Sequence, residues 1–159
     1  MPILHAQILG QAPDPSGQMV PVLPSQAIQQ KGPVVQVTIG PLQQLVQQWT
    51  QQGISVPASI TGEALIDTGA SVTCIDDAVA QQLGLPVIDV MQMVSASHTT
   101  QQNVYPVSIT IATNLRFDLS RVMGANLQPQ GLAVLIGRDL LSICTLHYNG
   151  TSGEFTLAL

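Results

Sequence analysis

Apolar residues fall in short runs along most of this chain, and the period of each run predicts an element. Pro33-Val34-Val35-Gln36-Val37-Thr38-Ile39-Gly40 is β-branched and alternates in its second half, which predicts a strand. Pro41 then stands where a first helical residue would be. Leu42, Leu45, Val46 and Trp49 follow at helical spacing and Gly53 suits the stop, so a helix is expected over 41–52. Ile54–Ile60 reads as a strand turned back by Thr61-Gly62 into the continuous apolar run Ala64-Leu65-Ile66. Val72-Thr73-Cys74-Ile75 is again extended, and Asp76 can cap a short helix running to about Leu83.

Residues 87–94 and 104–111 are strand-like, joined by a small polar stretch over 95–103 that predicts a long hairpin with a mobile tip. Ala112-Thr113-Asn114 closes a second hairpin into Leu115–Val122, where Leu115, Phe117 and Leu119 alternate. A loop-like stretch over 123–131 leads to a second buried run, Leu132-Ala133-Val134-Leu135-Ile136-Gly137. A single helical turn over 138–142 and a closing hairpin of 144–148 with 154–159 complete the pattern. Residues 1–32 carry Gly10, Pro13, Pro15, Gly17, Pro21 and Pro24, and read as a partly ordered arm, an interface segment or a piece removed by self-cleavage. Residues 33–159 form the domain. Short strands with two or three short helices predict a small β-barrel or sandwich.

Composition narrows the function. Apolar residues make up 45% of the 159 residues, enough for one core. The net charge is −5 with only four Lys and Arg, which argues against nucleic-acid and membrane-surface binding, since both need clustered cations. No signal peptide or bilayer-spanning run is visible, so a cytoplasmic location is expected. Cys74 and Cys144 read as buried free thiols. Cysteine and histidine spacing suggests no metal site, and no cofactor is expected.

The chemistry centres on Asp67-Thr68-Gly69-Ala70-Ser71, which follows the Ala64–Ile66 run without a break. A carboxylate at the mouth of a core strand is costly unless it is shared, hydrogen-bonded or neutralised, and such groups are candidates for acid/base work. One Asp alone cannot hydrolyse an amide. Two carboxylates close enough to share one proton can, one as base toward water and the other as acid toward the carbonyl oxygen. The chain holds one Asp-Thr-Gly and no second Asp-Ser/Thr-Gly, so the partner would be Asp67 of a second copy across a two-fold axis.

Ala64-Leu65-Ile66-Asp67-Thr68-Gly69-Ala70, together with Val134-Leu135-Ile136-Gly137-Arg138-Asp139-Leu140-Leu141, resembles the retropepsin family of single-domain, dimeric aspartic proteases. The tail Cys144-Thr145-Leu146-His147-Tyr148 resembles the family's final strand, and the extension through Leu157 is closer to non-viral relatives. The resemblance implies a closed β-barrel and a homodimeric endopeptidase acting on extended peptides, with apolar residues beside the cut and activity at acid to mildly acidic pH. It assigns catalysis to Asp67. Thr68 would bond across the dimer, Gly69 would let substrate backbone lie close, and Ala70 would leave room for its side chains. Gly137 would let its strand pass behind the loop, Arg138 would brace the loop, and Ser95, Ala96, Ser97, His98, Thr99 and Thr100 would form the flap.

Two departures weaken that transfer. Ser71 stands where retroviral members often carry an Asp that pairs with the helix Arg, which leaves Arg138 without a named partner. The flap stretch contains no glycine. They motivate two alternatives: a scaffold dimer with little or no catalysis, and an enzyme limited to processing itself. An unrelated β-barrel binding module is a third. Asp76, Asp77 and Asp139 read as caps and solvated charges rather than acids, and His98 as a solvated loop residue.

Overall fold

The computed structural model describes residues 2–94, 99–112 and 115–159. Strand β1 (Ile3–Gln7) is followed by the small pair β2 (Gln11–Pro13) and β3 (Met19–Pro21) and by helix α1 (Pro24–Lys31). Then come β4 (Val34–Gly40), α2 (Gln43–Gln51), β5 (Ile60–Ile66), β6 (Cys74–Asp76) and α3 (Asp77–Gln82). The long ribbon β7 (Asp89–Val94), β8 (Thr99–Ile111) and β9 (Leu115–Ala125) leads to β10 (Val134–Ile136), α4 (Arg138–Leu141), β11 (Thr145–Asn149) and β12 (Glu154–Ala158).

The main sheet runs β4-β5-β10-β6-β9-β8-β7, and an added β4–β8 pairing closes its first six strands into a barrel. The fold is mainly β, a closed small barrel, as the run lengths and the resemblance predict, with four short helices among the described residues where two or three were expected. Inward positions alternate along the paired strands: Val37 and Ile39, Val107, Ile109 and Ile111, and Leu115 and Phe117 are all buried. A second sheet, β1-β12-β11, lies beside the barrel, and its Phe155 and Leu157 enter the same core.

Four details differ from the sequence expectations, each because pairing overrides local preference. Residues 54–59 form no strand; β5 instead runs straight through Thr61-Gly62, which pair with Thr38 and Val37 of β4. Gly62 is needed there for closeness rather than for a turn, since a Cβ would lie 2.6 Å from the Ala133 Cβ. Thr99–Asn103 are ladder residues of β8 opposite β7, because backbone groups satisfy one another whatever the polarity of the side chains. Met123–Ala125 extend β9 alongside β6, so the expected loop is shorter. Finally, the Pro-rich segment 1–32 contains α1, whose Pro24 sits in the first turn, where its missing N–H is harmless. That segment gives Ile8, Ala27 and Ile28 to the core and joins β12 through β1.

Candidate active site

The two apolar runs singled out in the sequence lie side by side. β10 pairs parallel to β5, setting Leu135 against Leu65 and Ile136 against Ile66, and the Asp67 N–H continues the ladder to the Ile136 carbonyl at 2.9 Å. The Asp-Thr-Gly loop and the Gly-Arg-Asp turn therefore leave the sheet together at one end of the barrel.

Asp67 is half-buried. Its Oδ1 accepts the Gly69 N–H at 2.7 Å, and its own carbonyl accepts the Ala70 N–H at 3.3 Å. The first bond fixes the carboxylate's orientation. Oδ2 has no hydrogen-bond partner among the described residues and is available to a proton, a water or a partner carboxyl.

α4 holds this loop from behind. Arg138 donates from Nη1 to the carbonyls of Thr68 (3.0 Å) and Gly69 (3.2 Å), which supplies the partner that Ser71 does not. The Arg138 N–H meets the Ala70 carbonyl at 3.0 Å, and the Asp139 N–H meets that of Ser71 at 3.3 Å. One turn of helix thus uses its otherwise orphaned amides to bind the loop. Gly137 sits where a Cβ would fall 2.4 Å from the Val72 carbonyl carbon and 2.8 Å from the Thr73 nitrogen. The chain passes directly behind the loop only because no side chain is present.

A further contact joins two residues to which the sequence reading gave no part in holding the loop. Asp139 is not merely a solvated charge: Oδ1 accepts the Thr73 hydroxyl at 2.7 Å and Oδ2 the Thr73 N–H at 2.9 Å. The Thr73 Oγ1 in turn accepts the Gly137 N–H at 3.1 Å. The signal for Thr73 was a hydroxyl inside the apolar run Val72–Ile75, since a buried hydroxyl requires a partner. Nothing in the sequence pointed to Asp139 as that partner. Asp76 also differs from a solvated cap. It is 4% exposed, and besides capping α3 it binds the Leu127 and Gln128 amides. Asp77 accepts the Tyr105 hydroxyl at 2.8 Å.

Electrostatics beside the loop keep a thiol silent. Burial, and then the negative charge of Asp139, push the Cys74 thiol up to about 11, so it stays protonated at neutral pH. Among the described residues no cluster of His, Cys, Asp and Glu could hold a metal ion, and no helix is long and apolar enough to cross a membrane.

Next to Asp67 opens a cleft of about 480 Å³, lined by Pro33, Leu65, Ile66, Thr68, Leu146 and Tyr148. Its wall is mostly apolar, and the residues on it with polar side-chain groups are Asp67, Thr68 and Tyr148. Asp67, Thr68, Gly69, Ala70, Gly137 and Arg138 are thus gathered in one place. Thr99 and Thr100 lie on the β7–β8 ribbon, opposite Val94 and Met93, while Ser95, Ala96, Ser97 and His98 lie outside the described residues.

Comparison with known proteins adds the following. The sequence profile of the family described as "gag-polyprotein putative aspartyl protease" matches residues 58–143, more than half of the chain. Among solved structures, the chain is similar to a retropepsin-like aspartic protease from Rickettsia conorii, at 15% identity over 98% of this chain and 92% of that one, with a TM-score of 0.47. It is similar to the simian foamy virus (mac) protease at 16% identity over 69% and 91% of the two chains, TM-score 0.44. It is also similar to the retroviral protease-like domain of Ddi1 from Leishmania major at 14% identity over 73% and 81%, TM-score 0.40. No curated protein matches it in sequence.

Proposed function

The chain belongs to the gag-polyprotein aspartyl protease family, of retropepsin type, and from that premise we propose that it is a homodimeric aspartic endopeptidase with one active site per dimer. The observation that carries the proposal is the held carboxylate. Asp67 stands at a strand end with one oxygen fixed by Gly69 and the other unpartnered among the described residues, on a loop tied down through Arg138, Asp139 and Thr73. Such rigidity is needed where a reacting group must be positioned before substrate arrives.

In the proposed reaction the two Asp67 carboxyls share one proton, because like charges that close cannot both ionise. The ionised one takes a proton from a water lying between them as that water attacks the peptide carbonyl carbon. The protonated one gives its proton to the carbonyl oxygen, forming a neutral gem-diol. Collapse breaks the C–N bond: a diol proton returns to a carboxylate, and the leaving nitrogen takes up the proton held by the other carboxyl. Thr68 is proposed to bond across the dimer, and Gly69 and Ala70 to give the substrate backbone room. The flap is assigned to Ser95–Thr100, with substrate held as an added strand. Residues 1–32 are proposed to move with the domain as its N-terminal segment.

The test is cleavage of an unfolded protein substrate from about pH 3 to about pH 7 by wild type and by Asp67→Asn, with sedimentation in the same buffers. Dimers that cut only when Asp67 is present support the proposal. A stable monomer at high concentration, or equal cleavage by both proteins, overturns it.

A further inference from the structure

At the opposite end of β4 and β5 from Asp67 lies a second feature that the protease reading does not use. Thr38, Ser108, Thr110 and Arg116 stand on the outer face of the barrel, aligned by the β4–β8 and β8–β9 registers: Thr38 pairs with Thr110, Gly40 with Ser108, and Thr110 with Arg116. The outer face of a strand is normally left to water. Here residues of the segment from Pro41 through α2 to Ser59 lie over it and line an open cavity of about 280 Å³.

The cavity has the donors of a ligand site. Ser108 is only 6% exposed, and its hydroxyl makes no hydrogen bond to another described residue. It is not sealed in either, since no fully buried side-chain oxygen or nitrogen among the described residues lacks a partner; the hydroxyl therefore opens onto the cavity. Ser59 supplies another hydroxyl, positioned over Gly40, where a Cβ would come within 3.0 Å of its Oγ. Arg116 gives only Nε to Asp118, at 3.0 Å, which leaves its terminal nitrogens free of acceptors among the described residues. Gln43, on the wall, opens α2. Its N-cap, Leu42, offers no side-chain cap and its first turn has no acidic residue, so its first N–H groups and positive dipole end are unanswered.

We propose that this cavity binds a carboxylate group. Hydroxyl donors, a guanidinium and an uncapped helix start all select an anion. A single cation already shared with Asp118 suits one negative charge rather than two. The site lies about 20 Å from Asp67, the length of β5, so binding there is independent of the dyad.

The experiment is an amide NMR titration of the full chain with acetate, with chloride and inorganic phosphate as separate arms at matched ionic strength. Saturable shifts with acetate are expected, confined to Gln43, Gln44, Ser108, Thr110 and Arg116. They should weaken at least about tenfold in Arg116→Gln and in Ser108→Ala, and persist in Asp67→Asn. Ser108→Ala removes a single hydroxyl from the barrel's outward side without adding bulk, and keeps the test valid if Arg116→Gln does not fold. Shifts reproduced by chloride, unchanged in both variants, or seen with phosphate but not with acetate would overturn the proposal.

Discussion

Asp139 grips Thr73 with both carboxylate oxygens, one on the hydroxyl at 2.7 Å and one on the backbone N–H at 2.9 Å. The pair joins α4 to the strand that leaves the Asp67 loop, and Gly137 completes the knot by donating to the same hydroxyl. Hydrogen bonds to a charged group contribute about 1.5–3 kcal/mol each. Asp139 is itself exposed, so solvent screens the pair, and Asp139→Ala should lower unfolding free energy by about 2–3 kcal/mol in urea, less than the full sum of two such bonds. Asp139→Asn, which keeps one acceptor oxygen, should lose about half of that.

Arg138 acts on the other half of the loop, through the carbonyls of Thr68 and Gly69. Arg138→Ala should cost about 1–2 kcal/mol of stability but a larger share of activity, about tenfold or more in kcat, because the loop that carries Asp67 loses its rear support. Arg138→Lys should restore part of kcat by bonding one carbonyl. Steady-state kinetics beside urea unfolding separates the two effects.

Gly137 is required for space and not for backbone freedom, since its φ is −92°. Gly137→Ala drives a Cβ into the Val72 carbonyl and should destabilise by about 3 kcal/mol or more, because backbone has to move. The contrast is Gly84→Ala. Gly84 has φ +60° with nothing near the missing Cβ, so only the left-handed backbone is penalised, at about 1–2 kcal/mol. Parallel thermal melts of the two variants check the difference.

Cys74 links stability to alkaline pH. Its thiol lies at about 11 in the folded protein against 9.0 unfolded, raised by burial and then by Asp139. The protonated form is thus favoured by folding. The contribution is complete below pH 9.0 and is lost as pH rises toward about 11, where the unfolded chain ionises first. Urea midpoints should fall over that window in wild type and fall less in Cys74→Ala. At neutral pH the native thiol should react with iodoacetamide far more slowly than in the unfolded chain.

Ile28 tests whether residues 1–32 are dispensable. The side chain is 1% exposed and packs in the main core with Ala27 and Ile8. Ile28→Ala should cost about 2–5 kcal/mol, the usual range for emptying a core position. A chain with that segment removed should melt well below wild type, whereas an unchanged melting temperature would mark it as detachable.

The sequence by itself determined the elements built on hydrophobic period. The inward alternation of Val37 and Ile39, and of Leu115 and Phe117, is written in residue type. So are the cap at Asp76 and the pair of apolar runs ending in Asp67 and Gly137. These are local properties, decided by side chains within a few positions of one another. Only the tertiary structure decided that Thr61-Gly62 continue a strand, that Thr99–Asn103 join a ladder, and that Arg138 and Asp139 hold the loop at Thr68, Gly69 and Thr73. Those outcomes rest on backbone amides and carbonyls, which every residue carries alike. Their partners are chosen by which segments the closed barrel brings together.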